Sequence, residues 1–218
     1  MNLDVLFDAS TGADGSAGGG TSQAGRVDVP RLAEVLDGLG HIGRVATIRG
    51  WGHAHQEKLY EAVSDFKPLG LADFVPDDVE PMVEVIHWGK NSLPAFTHFK
   101  KRFCKGTTQG ELWGYNDNGE SSHQFATGPG YFVVHAPERP DALTSEVDID
   151  YRKLPPSKPD NWPPIKPNEA GLSRFIYAGM TDVMRGISKH VTIGRALKGG
   201  QFMDAYFVLC RDDGPVPK

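Results

Sequence analysis

The chain has 218 residues, with 39% hydrophobic, 10% aromatic and 23% charged side chains, a balance that buries a sizeable core and excludes a disordered or fibrous protein. Its 26 glycines and 16 prolines, nearly a fifth of the chain against a background of about 12%, favour many turns and short elements and exclude a helical bundle. The net charge of −5 argues against broad nucleic-acid binding, and the longest apolar run, Ala205 to Cys210, is far short of the roughly 20 residues that cross a bilayer.

Residues 9–25 hold six glycines among Ala, Ser and Thr and lack the apolar anchors that offset ordering entropy. Residues 1–25 therefore read as a flexible arm, with 9–25 dispensable for folding, and 26–218 as one α+β domain. No Lys or Arg precedes Arg26, so a secretory leader is not expected. Cys104 and Cys210 stand alone, which suits a reducing, cytoplasmic setting and rules out a cysteine-built metal cage.

From Asp28 a first helix is signalled by an acidic cap, Pro30 in the first turn, and Leu32, Val35, Leu36 and Leu39 at helical spacing. Arg44 to Arg49 alternates as a short strand, and Leu59, Tyr60, Val63 and Phe66 at helical spacing predict a second helix from about His55 to Asp65. The period then becomes two. Met82 to Trp88, Phe96 to Phe103, Glu111 to Asp117, Tyr131 to His135 and Glu146 to Arg152 are short strands separated by turn residues, an antiparallel meander. Pro155 to Asn168 contains six prolines and Trp162, an extended surface strap anchored by the indole. Leu172 to Ser188 shows an apolar stripe of Phe175, Ile176, Met180, Val183, Met184 and Ile187, which predicts one long C-terminal helix. Strands at His190 to Leu197 and Phe202 to Arg211, joined through Gly199 and Gly200, form a closing hairpin. The expected fold is a curved antiparallel sheet or partial β-barrel of about eight strands, packed on the long helix, with two N-terminal helices.

Gly38, Gly40 and Gly43 match a dinucleotide fingerprint by letters, but the helix precedes and the strand follows, the reverse of what that motif needs. His53 and His55 diverge on a helix start, so no metal site is expected there. His87 interrupts the apolar row of Val83 and Val85, and His135 continues the face of Tyr131 and Val133. A polar group in such a row is either hydrogen-bonded core or a tuned acid or base. Asp148, Asp150 and Arg152 read as a solvated sheet face. Gly179 and Gly186 share a face of the expected helix, flanked by Tyr177 and Arg185, with Asp182 as the ion-pair partner of Arg185.

The leading expectation is a small-molecule site between the long helix and the sheet, in a binding protein or a cofactor-independent acid–base enzyme of lyase, isomerase or hydratase type. His87 or His135 would be the base, Tyr115 the proton donor, Arg185 an anion clamp, and Tyr177, Gly179 and His98 further binding residues. No metal or cofactor is called for; the sequence leaves open both a bound group such as haem in the cavity and a homo-oligomer. The alternative is a nucleic-acid or protein interaction module on the basic–aromatic strand pair 96–117, where Phe96, His98, Lys100, Arg102, Trp113 and Tyr115 interleave.

Overall fold

A computed structural model describes residues 4–7, 27–94, 97–117, 128–168 and 177–214. The greater part of the arm and Phe96 lie outside these residues. Within the arm, Asp4–Phe7 form a short 3-10 turn, and the Phe7 ring is buried against Trp51 and His55.

Helix α1 (Val29–Gly38) starts as its sequence dictates: the Asp28 carboxylate accepts from the Arg31 amide at 3.1 Å, Pro30 sits in the first turn, and Leu32 and Leu36 are buried on one face. Helix α2 (His41–Arg49) replaces the strand expected over 44–49. Arg44, Val45 and Ile48 are its buried residues, a helical spacing that six residues cannot distinguish from alternation. Helix α3 (His53–Ala62) buries Gln56, Leu59 and Tyr60.

The rest is a barrel. Strands β1 (Val85–Asn91), β2 (His98–Lys105), β3 (Leu112–Asp117), β4 (Tyr131–His135), β5 (Val147–Asp150), β6 (Met180–Gly186), β7 (Val191–Lys198) and β8 (Gln201–Arg211) pair antiparallel in chain order, and β8 pairs back to β1, closing the sheet. Closure removes every exposed edge. The long helix expected over 172–188 is overturned in its second half, which is β6; residues 169–176 lie outside the described ones, and Tyr177–Gly179 form a turn. Thr181, Asp182, Val183 and Met184 are all buried, because β6 faces the lumen on one side and packed structure on the other. An apolar set without alternation then imitates a helical stripe.

Three clusters explain why most strands are buried on both faces. Inside the barrel, Phe103, Leu112, Phe132, Val134, Ile149, Met184 and Leu209 fill the lumen, and Leu69, Phe74 and Val75, from the segment before β1, plug one end. Outside, α1 to α3 cover Val191, Ile193, Tyr206, Val208 and Cys210. On the opposite flank the proline-rich strap lies over Trp113, Tyr115, Tyr131 and Val133, with Trp162 buried and its indole N–H donating to Glu84 at 2.6 Å.

Candidate functional site

Strand alternation decides which side chains meet in the lumen. On β2 it turns Phe99, Lys101 and Phe103 inward, and the register sets Lys101 opposite His87 on β1 and Asn116 on β3. Tyr151 directly follows β5, and Asp182 on β6 lies opposite Ile149. Lys101, Asn116, Tyr151 and Asp182 thus converge from separate strands at the end of the barrel away from the plug. They form the floor of a cavity of about 260 Å³ walled by Phe99, Tyr177, Met180, Ala196 and Phe207, with Leu93, Lys198 and Met203 at its mouth.

The Lys101 ammonium donates to Asn116 Oδ1 at 2.8 Å, to Asp182 Oδ2 at 3.1 Å and to the Tyr151 hydroxyl, so all three of its donors are matched. The Tyr151 hydroxyl donates to Asp182 Oδ2 at 3.1 Å and accepts from the Asn116 amide at 2.9 Å. Around the ammonium stand the rings of Phe207, Tyr151, Phe132 and Phe99, with centroids 4.8, 5.0, 5.2 and 5.7 Å from Nζ, an arrangement that favours a cation through the ring faces. Burial lowers the Lys101 pKa and the Asp182 carboxylate opposes that shift. Burial also raises the Tyr151 hydroxyl well above its usual range, assisted by the charge of Asp182, so the phenol keeps its proton at neutral pH. The Tyr177 ring stacks on Tyr151 at 5.2 Å. A buried ion pair of this kind is a poor stability device, since desolvation offsets most of the attraction. A few convergent polar groups beneath an apolar wall are instead the usual make-up of a ligand pocket.

The residues expected to carry function lie in different places. Tyr177 is in the cavity wall. His87 points into the plugged end, where its Nε2 meets the Phe74 carbonyl at 2.9 Å, and burial pushes its pKa down to about 3. His135 and Tyr115 are on the outside of the barrel. The His135 ring bonds the Ala136 carbonyl at 2.7 Å and Asp150 at 3.5 Å, and the bond to Asp150 raises its pKa. Tyr115 is beneath the strap, 4.9 Å from the Trp162 ring, and burial pushes its hydroxyl up to about 12. Arg185 also points outward, donating to Glu146 at 2.9 Å and to the Tyr60 carbonyl at 2.9 Å. Gly179 is in the turn before β6 rather than on a helix face. His98 is exposed at the start of β2, where slight desolvation and the charges of Arg49 and Lys90 lower its pKa.

The solvated face expected for Asp148 and Asp150 is buried. Arg139 bonds Asp148 and Glu146, and Arg152 grips Asp150 through three bonds of 2.8 Å, one from its amide and two from its guanidinium. On the basic–aromatic pair, Arg102 is committed to Glu84 at 2.5 Å and Asp117 at 2.7 Å, and Lys100 lies over Trp88 at 4.4 Å. His53 meets Asp204 at 2.8 Å while His55 packs on Phe7, and among the described residues no three metal-ligating side chains converge.

Sequence reasoning missed Lys101, Asn116 and the lumenal roles of Tyr151 and Asp182. The signal was there for one of them: Lys101 sits between Phe99 and Phe103 on an apolar row, the same pattern that singled out His87. Comparison with protein-family models, with curated proteins and with solved structures finds no match to this chain.

Proposed function

We propose that this protein binds one small, largely apolar or aromatic molecule inside the barrel, its single polar group set over the floor that Lys101, Tyr151 and Asn116 form. The supporting observation is the contrast within one lumen: the plugged end is filled by side chains, whereas the described residues give the other end a mouth, an apolar wall and a floor of converging hydrogen-bonding groups. An eight-stranded barrel is wide enough for packed side chains or for one small ligand, and here it holds the first at one end and has room for the second at the other.

The test is a titration with N-phenyl-1-naphthylamine, whose fluorescence rises in an apolar site, on the wild type and on Ala196→Phe. Ala196 is in the cavity wall, so the added ring occupies the ligand's space. The expected result is enhancement with the wild type and its loss in the variant, with circular dichroism and urea midpoint retained. No enhancement with the wild type, or equal enhancement in both, overturns the proposal.

A further inference from the structure

We propose that Lys101 is a carbonyl-reactive amine: small aldehydes or ketones on an apolar frame enter the cavity and form an imine with its Nζ. The inference rests on the lumenal binding reading and adds the class of ligand and the bond it makes. Within the lumen Lys101 is the lysine at the cavity floor, while Lys198 stands at the mouth and Lys105 bonds the Asp77 and Val79 carbonyls on the far rim. Its Nζ is 3.1 Å from a carboxylate oxygen of Asp182, and the Tyr151 hydroxyl touches both groups. An amine, a carboxylate and a phenol in mutual contact are what imine formation requires: a base to free the lone pair, and an acid to carry off the carbonyl oxygen.

The chemistry balances within this set. Asp182 accepts one proton from the ammonium, and the neutral amine attacks the carbonyl carbon to give a carbinolamine. The carbonyl oxygen then departs as water, taking two of the three protons first carried by Nζ, one returned from Asp182 and one relayed through Tyr151. The third stays on the iminium nitrogen, whose positive charge replaces that of the ammonium beside Asp182, so the buried charge is unchanged and no oxidant or reductant takes part. The rings of Phe99, Phe132 and Phe207 face an iminium as they face an ammonium. The lowered pKa of Lys101 works in the same direction, since it makes the neutral amine easier to reach.

The full chain is incubated with cinnamaldehyde and sodium cyanoborohydride, which reduces an iminium to a stable secondary amine, and the adduct is located by intact mass and peptide mapping. One adduct on Lys101 is expected. In Asp182→Asn its formation slows on the order of a hundredfold, and Lys101→Met/Asp182→Asn, checked for folding by circular dichroism, forms none. In parallel, cinnamyl alcohol, which cannot form an imine, is tested for displacement of N-phenyl-1-naphthylamine. If the alcohol displaces the dye but adducts scatter over surface lysines, imine formation is overturned and lumenal binding stands. If neither the alcohol nor the aldehyde displaces the dye and Lys101 stays unmodified, both fall.

Discussion

His87 and Lys101 are cross-strand partners on the inner face of β1 and β2, both buried and both set among aromatic rings, and they resolve the cost of burial in opposite ways. His87 gives up its charge. Its Nε2 bonds the Phe74 carbonyl, the Phe103 ring lies 4.5 Å away, and its Nδ1 finds no partner among the described residues. Lys101 instead has a carboxylate, an amide and a phenol at hydrogen-bonding distance. A buried ionisable group in an aromatic nest is therefore not in itself a mark of function. Space left open beside it by the described residues, and partners able to exchange protons, separate the candidate site from the plug.

The largest effect expected from breaking this comparison follows removal of the lysine alone. Lys101→Met leaves the Asp182 carboxylate buried without its counter-charge and should cost about 3–5 kcal/mol. Lys101→Met/Asp182→Leu removes both charges and leaves Asn116 and Tyr151 to bond each other, as they already do at 2.9 Å, so it should recover most of that loss. Urea midpoints of the two variants are the measurement. A double variant no more stable than the single one would show that the pair is not coupled as its geometry indicates.

His87 yields a pH dependence of defined sign. Its pKa is near 3 when folded, chiefly through burial, with Arg211, His190 and Lys101 adding to the lowering and the Phe74 carbonyl opposing it; unfolded, the ring returns to about 6.5. Between those values the unfolded chain binds the extra proton. The stabilisation is then complete above about pH 6.5 and is lost as pH falls toward 3, by about 1.4 kcal/mol per unit. His87→Gln keeps a donor for Phe74 but does not titrate, so its stability should fall less steeply than the wild type's between pH 6 and pH 4, as read by urea unfolding at each pH.

The plugged end and the open end differ also in how much of them the sequence discloses. Glu111 to Asp117 and Tyr131 to His135 read as strands almost to the residue, because Gly110 bounds one and Gly128 to Gly130 lead into the other. The Trp162 strap and the hairpin at Gly199–Gly200 were legible for the same reason: proline and glycine act locally. β6 was not legible, because a strand buried on both faces loses its alternation. The floor of the cavity was hidden by a different cause. Lys101, Asn116, Tyr151 and Asp182 are spread over some 80 residues and meet only once the sheet closes, so no spacing along the chain records their proximity. The burial of Asp148 and Asp150 likewise depends on Arg139 and Arg152 folding back over them, which alternation within a single strand does not predict.

The smallest expected effect tests the same contrast through two glycines, Gly114 among the packed lumenal rings and Gly179 near the open end. A Cβ on Gly114 would come within 2.3 Å of the Phe132 ring and 2.5 Å of the Arg102 carbonyl oxygen, so Gly114→Ala overpacks the lumen and should cost about 1–3 kcal/mol. At Gly179 a Cβ meets nothing within 4 Å among the described residues, but the backbone has φ of 69°, so Gly179→Ala carries backbone strain, about 1 kcal/mol. Asparagine separates the two causes, because it tolerates the left-handed region better than alanine while being larger. Gly179→Asn should therefore be more stable than Gly179→Ala, and Gly114→Asn less stable than Gly114→Ala. Urea midpoints of the four variants give the order, and a Gly179→Asn that falls below Gly179→Ala would mean that the space beside this turn is filled rather than open.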